Sequence, residues 1–344
     1  LSRIPAVMEM PYNDIIRKFI DMYAGRLRNQ VSFMLSACNF YMPIFEEALD
    51  AYGLPLELRY LPIIESALNP SAVSRAGASG LWQFMIGTGK IYGLESNSLV
   101  DERRDPIKAT WAAARYLKEM YDIYGDWNLV IAAYNCGPGT INKAIRRANG
   151  ETDYWKIYNY LPKETRGYVP AFIAANYVMT YYCDHNICPM ETNIPASTDT
   201  VQVNKNLHFE QIADLCNVPL DQIKSLNPQY KKQMIPGDSK PYTLRLPIDA
   251  ISTFIDKQDT IYAHRADELF RNRKTVAIKE ITPSTRKTTT AVAGKGKLTY
   301  YTIKSGDTLS TIAGKYGVTI KDIQRWNGMS NTKIAAGKRL KIYK

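Results

Sequence analysis

The sequence of 344 residues contains no run of 18 apolar residues, so no segment is expected to cross a membrane as a helix. It has only three His and five Cys, and the odd number of Cys leaves at least one thiol free. This excludes a disulfide framework of the kind that supports small secreted domains. The chain begins with Leu, and no basic stretch followed by an apolar one comes after it. We therefore expect a removed signal segment or a trimmed sequence, and either is compatible with a lipid-anchored N-terminal Cys.

Two of the five Cys, Cys183 and Cys188, lie close together in the sequence, with His185 between them. The spacing permits a local disulfide, and it also brings three groups that can bind zinc into one short segment. A structural zinc site needs four protein ligands, and this segment supplies three. We expect structural thiols or a local bridge here, and we expect neither a metal nor another cofactor.

The composition is that of a globular protein, with 45% apolar and 22% charged residues. The formal net charge of +11 is unevenly distributed, because residues 1–200 contain 19 basic and 21 acidic residues whereas residues 201–344 contain 25 and 12. This asymmetry predicts two functions in one chain. A basic region can indicate nucleic-acid binding, but no helix-turn-helix, ribonucleoprotein or zinc-finger pattern is present. We expect no nucleic-acid partner.

Residues 1–195 show the apolar spacing that is typical of helices. Asn13 is a suitable N-cap residue, and Gly53 and Gly125 follow the ends of two periodic segments, as glycines commonly do after helices. Segments of alternating β-branched residues are scarce in this region. The spacing predicts helices over residues 13–23, 40–52, 56–68, 108–124, 129–135, 140–147 and 168–182.

An internal repeat occupies the C-terminal part of the chain. A shift of 100 residues places Ile212, Ile223 and Asn227 on identical residues. Each copy reads as strand, helix, helix and strand. The segment 274–297 between the copies is rich in Thr, Lys, Ser and Gly, which is typical of a flexible basic linker.

The second copy contains Ser305-Gly306-Asp307-Thr308-Leu309 after its first strand, and Trp326-Asn327 downstream. Gly306 permits a tight turn, and Asp307 can cap the helix that follows. These motifs resemble the LysM domain, a small module that binds glycans containing N-acetylglucosamine. The resemblance implies glycan contacts by Gly306, Asp307, Thr308, Trp326 and Asn327. The first copy lacks the Gly-Asp-Thr motif, so we expect the same fold there and leave its glycan binding open.

One carboxylate stands inside the apolar segment 61–68. On a helix, Leu61, Ile64 and Leu68 share one face, and Glu65 lies next to that face. Burial against such a surface disfavours the charged carboxylate and raises its pKa, which suits a general acid near neutral pH. The alternative is a surface Glu on an amphipathic helix.

The sequence around Glu65 favours the catalytic alternative. The motifs, in chain order, are Glu65-Ser66-Ala67-Leu68-Asn69-Pro70, Gly77-Ala78-Ser79-Gly80-Leu81-Trp82-Gln83-Phe84-Met85, Ala132-Ala133-Tyr134-Asn135-Cys136-Gly137-Pro138-Gly139 and Glu164-Thr165-Arg166-Gly167-Tyr168-Val169-Pro170. This set resembles the lytic transglycosylase family (glycoside hydrolase family 23), whose catalytic domain has a goose-type-lysozyme-like fold. The resemblance covers about residues 30–180. Cys136 and Gly167 depart from the commoner pattern, and neither lies on the proton path that the resemblance implies.

The resemblance implies a role for each matched residue. Glu65 matches the catalytic acid and base of the family. The positions matched to the substrate site are Ser74, Gln83, Met85, Tyr134, Asn135 and Tyr168. The first three line the sugar site near the N-acetyl group, Tyr134 hydrogen-bonds near the catalytic carboxylate, and Asn135 follows it in the motif.

The implied reaction uses one carboxyl group twice. Most glycosidases use two carboxyl groups, but no motif ties a second acid to catalysis here; the nearby acids are Glu57, Asp101, Glu102 and Asp105. Glu65 would protonate the bond between N-acetylmuramic acid and N-acetylglucosamine, and would then deprotonate the muramoyl C6 hydroxyl, which gives a 1,6-anhydro product. Two alternatives remain: a lysozyme that hydrolyses the same bond, and a non-enzymatic scaffold that uses only its LysM copies.

We therefore expect a mainly α lysozyme-like catalytic domain followed by two small α+β (βααβ) modules. The expected organisation is an N-terminal helical extension (1–30), a catalytic domain (31–195), a degenerate LysM-like module (200–250), a connecting segment with a basic linker (251–297) and a LysM module (298–344). The expected partner is the glycan strand of peptidoglycan. We expect a monomer in the bacterial periplasm, or in the cell envelope at the outer membrane through a lipid anchor that has been removed from this sequence.

Overall fold

The structure of the chain is a computed structural model. It describes residues 1, 3–192, 194–195, 197–270, 298–304, 307–327, 329 and 334–343. The chain forms two compact units, Leu1–Thr282 and Pro283–Lys344. The predicted linker at 274–297 lies outside the described residues.

The first part of the first unit is helical, as predicted. Its α-helices are α1 (Asp14–Ala24), α2 (Arg28–Ala51), α3 (Leu61–Ser66), α4 (Ile86–Ile91), α5 (Pro106–Tyr124), α6 (Trp127–Cys136), α7 (Pro138–Arg147), α8 (Tyr154–Ile157) and α9 (Lys163–Thr180). Short 3₁₀ helices occupy Leu56–Tyr60, Glu102–Arg104, Tyr158–Tyr160 and Tyr182–His185. The predicted caps are confirmed: the Asn13 side chain accepts hydrogen bonds from the N–H groups of Ile15 and Ile16, and Gly125 ends α5 in the left-handed conformation.

The core of this helical part is built around α9, which packs against α1, α3 and α6, while α5 packs against α2 and α6. Trp82, Phe45 and Phe172 are among its largest fully buried side chains. Burial of each such ring contributes about 1.5–3 kcal/mol. Helix α3 packs into this core through Leu61 and Ile63, which are both buried. This packing fixes the position of the residues at the C-terminal end of α3.

Two predicted helices differ most from the structure. The predicted helix over 40–52 is the second half of the longer α2. The single helix predicted over 56–68 is wrong, because a 3₁₀ helix ends at Tyr60 and α3 begins anew beside Pro62. Proline has no N–H to continue a helical ladder, and it is favoured in the first turn of a new helix.

The second part of the first unit contains the first copy of the repeat. Its elements are β1 (Thr198–Val203), β2 (Asn206–His208), α10 (Phe209–Cys216), α11 (Leu220–Leu226), β3 (Met234–Pro236), β4 (Tyr242–Pro247), α12 (Ile248–Asp256), α13 (Gln258–Ala263) and α14 (Ala266–Leu269). Strand β1 pairs antiparallel with β4, from Thr198↔Pro247 to Val203↔Tyr242, and β2 pairs antiparallel with β3. We call residues 198–263 the first module.

The second unit contains the second copy, which we call the second module (298–343). Its elements are β5 (Leu298–Thr302), α15 (Leu309–Tyr316), α16 (Ile320–Asn327) and β6 (Arg339–Tyr343), with β5 antiparallel to β6. The two helices therefore begin 100 residues after α10 and α11. The predicted fold class is confirmed: a mainly α domain is followed by two small α+β modules.

One detail of the second module corrects the sequence analysis. Thr308, and not Asp307, is the N-cap of α15, because its side chain accepts the N–H of Thr311. Asp307 instead accepts hydrogen bonds from the N–H of Lys304 and from the hydroxyl of Tyr301, each at 2.8 Å. Asp307 thus holds the turn before the helix.

Candidate active site

Glu65 lies in the last turn of α3, immediately before a sharp change in chain direction. Ala67 and Leu68 both have left-handed backbones, with φ of 52° and 59°, which is uncommon for residues other than glycine. The Ser66 hydroxyl is within hydrogen-bonding distance of the carbonyl oxygens of Pro62 at 3.0 Å and Leu81 at 2.9 Å. This contact ties the end of α3 to the loop that contains Gln83.

Glu65 lines a cavity of about 400 Å³. The other described residues around the cavity are Tyr23, Leu27, Gln30, Met34, Ile63, Ile64, Ser66, Ala67, Ala72, Val73, Ser74 and Gln83. Burial raises the pKa of Glu65 to about 7, and the hydrogen bond from the hydroxyl of Tyr168 to Glu65 Oε1 acts in the opposite direction. Glu65 therefore holds a proton near neutral pH and has a donor ready for its carboxylate form.

Two tyrosines from different helices stand around this carboxyl group. Tyr168 comes from α9 and donates to Glu65, whereas Tyr134 comes from α6 and donates to the backbone carbonyl of Trp82 at 2.7 Å. Burial, followed by the charge of Glu65, raises the pKa of both phenols well above the ordinary value. Both hydroxyls are therefore neutral donors. Of the two, Tyr168 makes the direct hydrogen bond to the acid.

The loop between α3 and α4 supplies the opposite wall of the cavity, including Ser74 and Gln83. Gln83 has a left-handed backbone, and its side-chain amide donates to the carbonyls of Gly80 at 2.9 Å and Ala72 at 3.3 Å. The Ser74 hydroxyl accepts the N–H of Ala78 at 3.0 Å. These internal bonds fold the loop on itself before any substrate is present.

Of the six predicted substrate-binding residues, Ser74 and Gln83 line this cavity, whereas Tyr134, Tyr168, Met85 and Asn135 do not. Met85 is 45% exposed at the N-cap of α4. Asn135 is exposed at the end of α6, and its side-chain oxygen accepts the hydroxyl of Thr165 at 2.9 Å. Asn135 thus connects α6 to α9, the two helices that carry the tyrosines.

The other acids considered in the sequence analysis are engaged elsewhere. Asp101 pairs with Arg103 at 2.8 Å, Glu102 pairs with Lys108, and Asp105 caps α5. Glu57 accepts the backbone N–H of Val7. Within the described residues that line the Glu65 cavity, Glu65 is the sole acid.

Sequence reasoning missed Arg103, whose side chain is almost completely buried behind the loop. Its guanidinium donates to the carbonyls of Gly77 at 2.8 Å and Phe84 at 2.9 Å, which bracket the loop. Gly80 packs so closely on this arginine that an added Cβ would lie 1.7 Å from the Arg103 carbonyl oxygen, at a φ of +89°. Only glycine fits there. The motif contained this glycine, but no local pattern indicated its partner.

A larger cavity, of about 970 Å³, lies on the other side of the turn after α3. It is lined by residues of α2 such as Phe33 and Phe40, by the turn residues from Leu68 to Ser71, and by α11 of the first module. Glu65 does not line it. We therefore assign the chemistry to the smaller cavity.

The predicted glycan-binding residues of the second module are partly accounted for by its internal structure. The Asn327 side chain donates to the carbonyls of Ile323 and Lys341 and accepts the N–H of Lys341, at 2.7–2.8 Å. It therefore joins α16 to β6. Trp326 is partly buried and contacts Tyr343 with ring centroids 5.4 Å apart. Gly306 lies outside the described residues.

In the described part of the chain, no cluster of three or more His, Cys, Asp or Glu side chains is arranged to hold a metal ion. Cys183 and Cys188 are exposed and free. No described helix combines the length and apolar character that a membrane span requires.

Comparison with protein families gives three matches along the chain. The transglycosylase SLT domain matches residues 42–157, the LysM-like domain of lytic transglycosylase MltD matches residues 197–263, and the LysM domain matches residues 301–342. Membrane-bound lytic murein transglycosylase D of Escherichia coli (strain K12) is 32% identical over 341 residues, which cover 97% of this chain and 70% of that protein. Soluble lytic murein transglycosylase of the same strain is 33% identical over 124 residues, 34% of this chain and 19% of that protein.

Two solved structures were also compared. The 70 kDa soluble lytic transglycosylase of Escherichia coli is 29% identical with a TM-score of 0.37, covering 42% of this chain and 24% of that one. The complex of the 70 kDa soluble lytic transglycosylase with bulgecin A is 25% identical with a TM-score of 0.40, covering 52% of this chain and 30% of that one. The chain thus spans about a quarter to a third of the length of these structures.

Proposed function

This chain belongs to the lytic murein transglycosylases, and on that premise we propose that Glu65 is the general acid and then the general base of its reaction. The enzyme acts on peptidoglycan. We propose that it cleaves the β-1,4 bond between N-acetylmuramic acid and N-acetylglucosamine and leaves 1,6-anhydro-N-acetylmuramic acid ends.

The observation that carries this proposal is the position of Glu65. It is the sole acid among the described residues around its cavity, its pKa is raised to about 7 by burial, and the Tyr168 hydroxyl donates to it. A mechanism with two carboxyl groups would need a second acid, and the described residues around this cavity supply none. A mechanism in which one carboxyl group acts twice needs only Glu65.

In the first step, the protonated Glu65 gives its proton to the glycosidic oxygen, and the bond from that oxygen to C1 of the muramoyl residue breaks. The positive charge that develops at C1 is stabilised by the substrate's own N-acetyl group. Glu65 is left as a carboxylate, which the hydrogen bond from Tyr168 stabilises.

In the second step, the Glu65 carboxylate accepts the proton of the muramoyl C6 hydroxyl, whose oxygen forms a bond to C1. The 1,6-anhydro ring closes, Glu65 regains its proton, and no water is consumed. Tyr134 already donates its hydroxyl proton to the carbonyl of Trp82, so it offers the reacting groups an acceptor oxygen. Ser74, Gln83 and Met85 contact the sugar near its N-acetyl group.

We propose that the second module holds this chemistry at the cell wall. We propose that Asp307, Thr308, Trp326 and Asn327, together with Gly306, hold glycan strands. The enzyme works in the cell envelope, and we propose a periplasmic location with attachment to the outer membrane through an N-terminal lipid outside this sequence. We propose that it acts as a monomer.

The test is product analysis of peptidoglycan digested by the wild type and by Glu65→Gln. The substitution keeps the shape of the side chain and removes the transferable proton, so release of 1,6-anhydromuropeptides should fall at least about 10³-fold. Glu47→Gln, which changes an exposed acid on α2, is the matched control and should retain full activity. Circular dichroism checks that both variants are folded.

The products also separate the alternatives. Reducing ends in place of anhydro ends would establish hydrolysis and refute the second step above. Undiminished product from folded Glu65→Gln would refute the assignment of Glu65. A wild-type chain that binds sacculi and releases no product would support the non-enzymatic scaffold.

A further inference from the structure

The first module is joined to the catalytic part of its unit through a short segment that contains Leu99 and Val100. Both side chains are buried, at 1% and 0% exposure, among the apolar core residues of the first module. Backbone hydrogen bonds run from the Asp101 N–H to the Gln229 carbonyl at 2.9 Å and from the Lys231 N–H to the Leu99 carbonyl at 2.8 Å. The loop after α11 therefore packs directly on the catalytic part.

Lys231 is the charged residue of this loop that reaches inward. Its Nζ donates to the carbonyl of Asn97 at 2.8 Å and lies 3.6 Å from Asp101 Oδ2. The Lys231 side chain is 21% exposed and that of Asp101 is 2% exposed. The next residue, Lys232, is exposed. Lys231 thus contacts the catalytic part, and the neighbouring Lys232 is a solvent-exposed lysine that can serve as its control.

Asp101 transmits this contact to the active-site loop. It forms a bidentate pair with Arg103, from Nε to Oδ1 at 2.9 Å and from Nη2 to Oδ2 at 2.8 Å. The remaining Nη1 of Arg103 donates to the carbonyls of Gly77 and Phe84. Bidentate pairs fix a guanidinium in orientation as well as in position. An unbroken series of polar contacts therefore leads from the first module to the loop that carries Gln83.

We propose that the first module serves the reaction as a positioning element, with Lys231 as its positioning residue. Lys231 holds Asp101, Asp101 orients Arg103, and Arg103 fixes the loop whose Ser74 and Gln83 line the substrate cavity. The expected effect on catalysis rests on the proposed function. The series of contacts from Lys231 through Asp101 and Arg103 to the loop does not, and we call this series the mechanical link.

The absence of a glycan motif in the first module fits this role. Where the second module has Asp307, the first has Leu207, which is fully buried in the core. In the loop after α11, the Gln229 carbonyl and the N–H and Nζ of Lys231 are engaged with the catalytic part. The first module is thus built to contact protein at this edge.

The experiment compares Lys231→Met, Lys231→Arg and Lys232→Met in the full chain. Because the loop contacts the substrate and supplies no proton, Lys231→Met should lower kcat/KM on soluble glycan strands about tenfold, mainly through a higher KM. Lys231→Arg retains the charge and should recover most of the loss. Lys232→Met should behave as the wild type.

Hydrogen exchange provides a readout that is independent of activity. The amides of Ser74 and Ser79 are hydrogen-bonded inside the loop, to the carbonyls of Ala78 and Phe84. In Lys231→Met these amides should exchange about tenfold faster, while amides of α6 stay as protected as in the wild type.

Each outcome decides a different point. Unchanged exchange in the loop would overturn the proposal, and so would failure of Lys231→Met to fold, because Lys231 would then serve the stability of the whole unit. Faster exchange with an unchanged KM would leave the mechanical link standing and refute the placement of the substrate against this loop. Faster exchange with a raised KM that Lys231→Arg reverses would support the proposal in full.

Discussion

The two modules are copies of one scaffold with different surroundings. Helices α10 and α15 begin exactly one repeat of 100 residues apart, and both start with a capping box, at His208 and at Thr308. The first module includes Leu99 and Val100 of the catalytic part in its core, whereas the described core of the second module consists of its own residues. The two copies of the fold therefore differ in their setting: the first module shares its core with the catalytic part, and the second has the sequence motif of a LysM module.

Both copies contain an asparagine at the same position of the repeat, Asn227 and Asn327. Asn227 and Asn327 each donate to two carbonyls and accept one N–H, joining the second helix of the module to its last strand. Asn227 is 1% exposed, whereas Asn327 is only partly buried. The same bonds are thus made in two different environments.

Replacing each asparagine by alanine should give the largest effect. Asn227→Ala removes the side-chain partner of the Arg245 N–H and of the Arg245 carbonyl, while the Ile223 carbonyl keeps the backbone N–H of residue 227. We expect it to lower the free energy of unfolding of the first unit by about 3 kcal/mol. Asn327→Ala should lower that of the second module by about 1–2 kcal/mol, because water can reach the freed groups. Scanning calorimetry measures both. Displacement of one common transition by both variants would contradict the independence of the two units.

Much of the fold, and the candidate acid, could be predicted from the sequence because these features depend on sequence patterns. The helix caps at Asn13 and Gly125 and the apolar setting of Glu65 are visible within short windows, and the repeat is visible when the chain is aligned with itself at a shift of 100 residues. The break of the helix before Leu61 was missed, although Pro62 marks the place, because apolar spacing continues across it. Short-range patterns thus identify the elements and the acid.

The contacts that position the site could not be predicted in this way. Arg103 bonds to carbonyls 19 and 26 residues away, and Lys231 to a carbonyl 134 residues away. A backbone carbonyl has no sequence signature, and a buried Arg looks like a surface Arg in the sequence. The same holds for Asn327, whose match to a glycan motif gives no sign of its bonds to β6.

The free energy of unfolding of the two units should change with pH in opposite directions. Burial raises the pKa of Glu65 to about 7, so the folded first unit keeps a proton that the unfolded chain loses near pH 4.5. Stability therefore falls as pH rises through this window. Glu65→Gln should remove the loss and stabilise the first unit by on the order of 2 kcal/mol above pH 7, with no gain below about pH 4.

Asp307 should act in the opposite direction in the second module. The Lys304 N–H, and then the Tyr301 hydroxyl, hold the pKa of Asp307 below its ordinary value. Its stabilising effect is present at neutral pH and is lost as pH falls through the lowered pKa. Calorimetry of the wild type and Glu65→Gln between pH 4 and 8 tests the first statement, and calorimetry of the wild type and Asp307→Asn from pH 7 down to about pH 2 tests the second. A Glu65→Gln variant that gains no stability at high pH would show that the buried, charged Glu65 does not lower the free energy of unfolding of the first unit.

Removal of residues 298–344 should give the smallest energetic effect and separate the functions of the two modules. We expect binding to purified sacculi to weaken about tenfold, equivalent to about 1.4 kcal/mol, while turnover of short soluble glycans changes less than about twofold. The first unit retains the Glu65 cavity and the Lys231 contacts, so its chemistry does not depend on the second module. Repeating the pull-down at 0.15 M and 0.5 M salt separates glycan contacts from the attraction of a basic region to an anionic wall, because only the latter is screened. Unchanged retention after the deletion would assign wall binding to the first unit. It would refute the hypothesis that the second module binds the wall while the first supports the catalytic part.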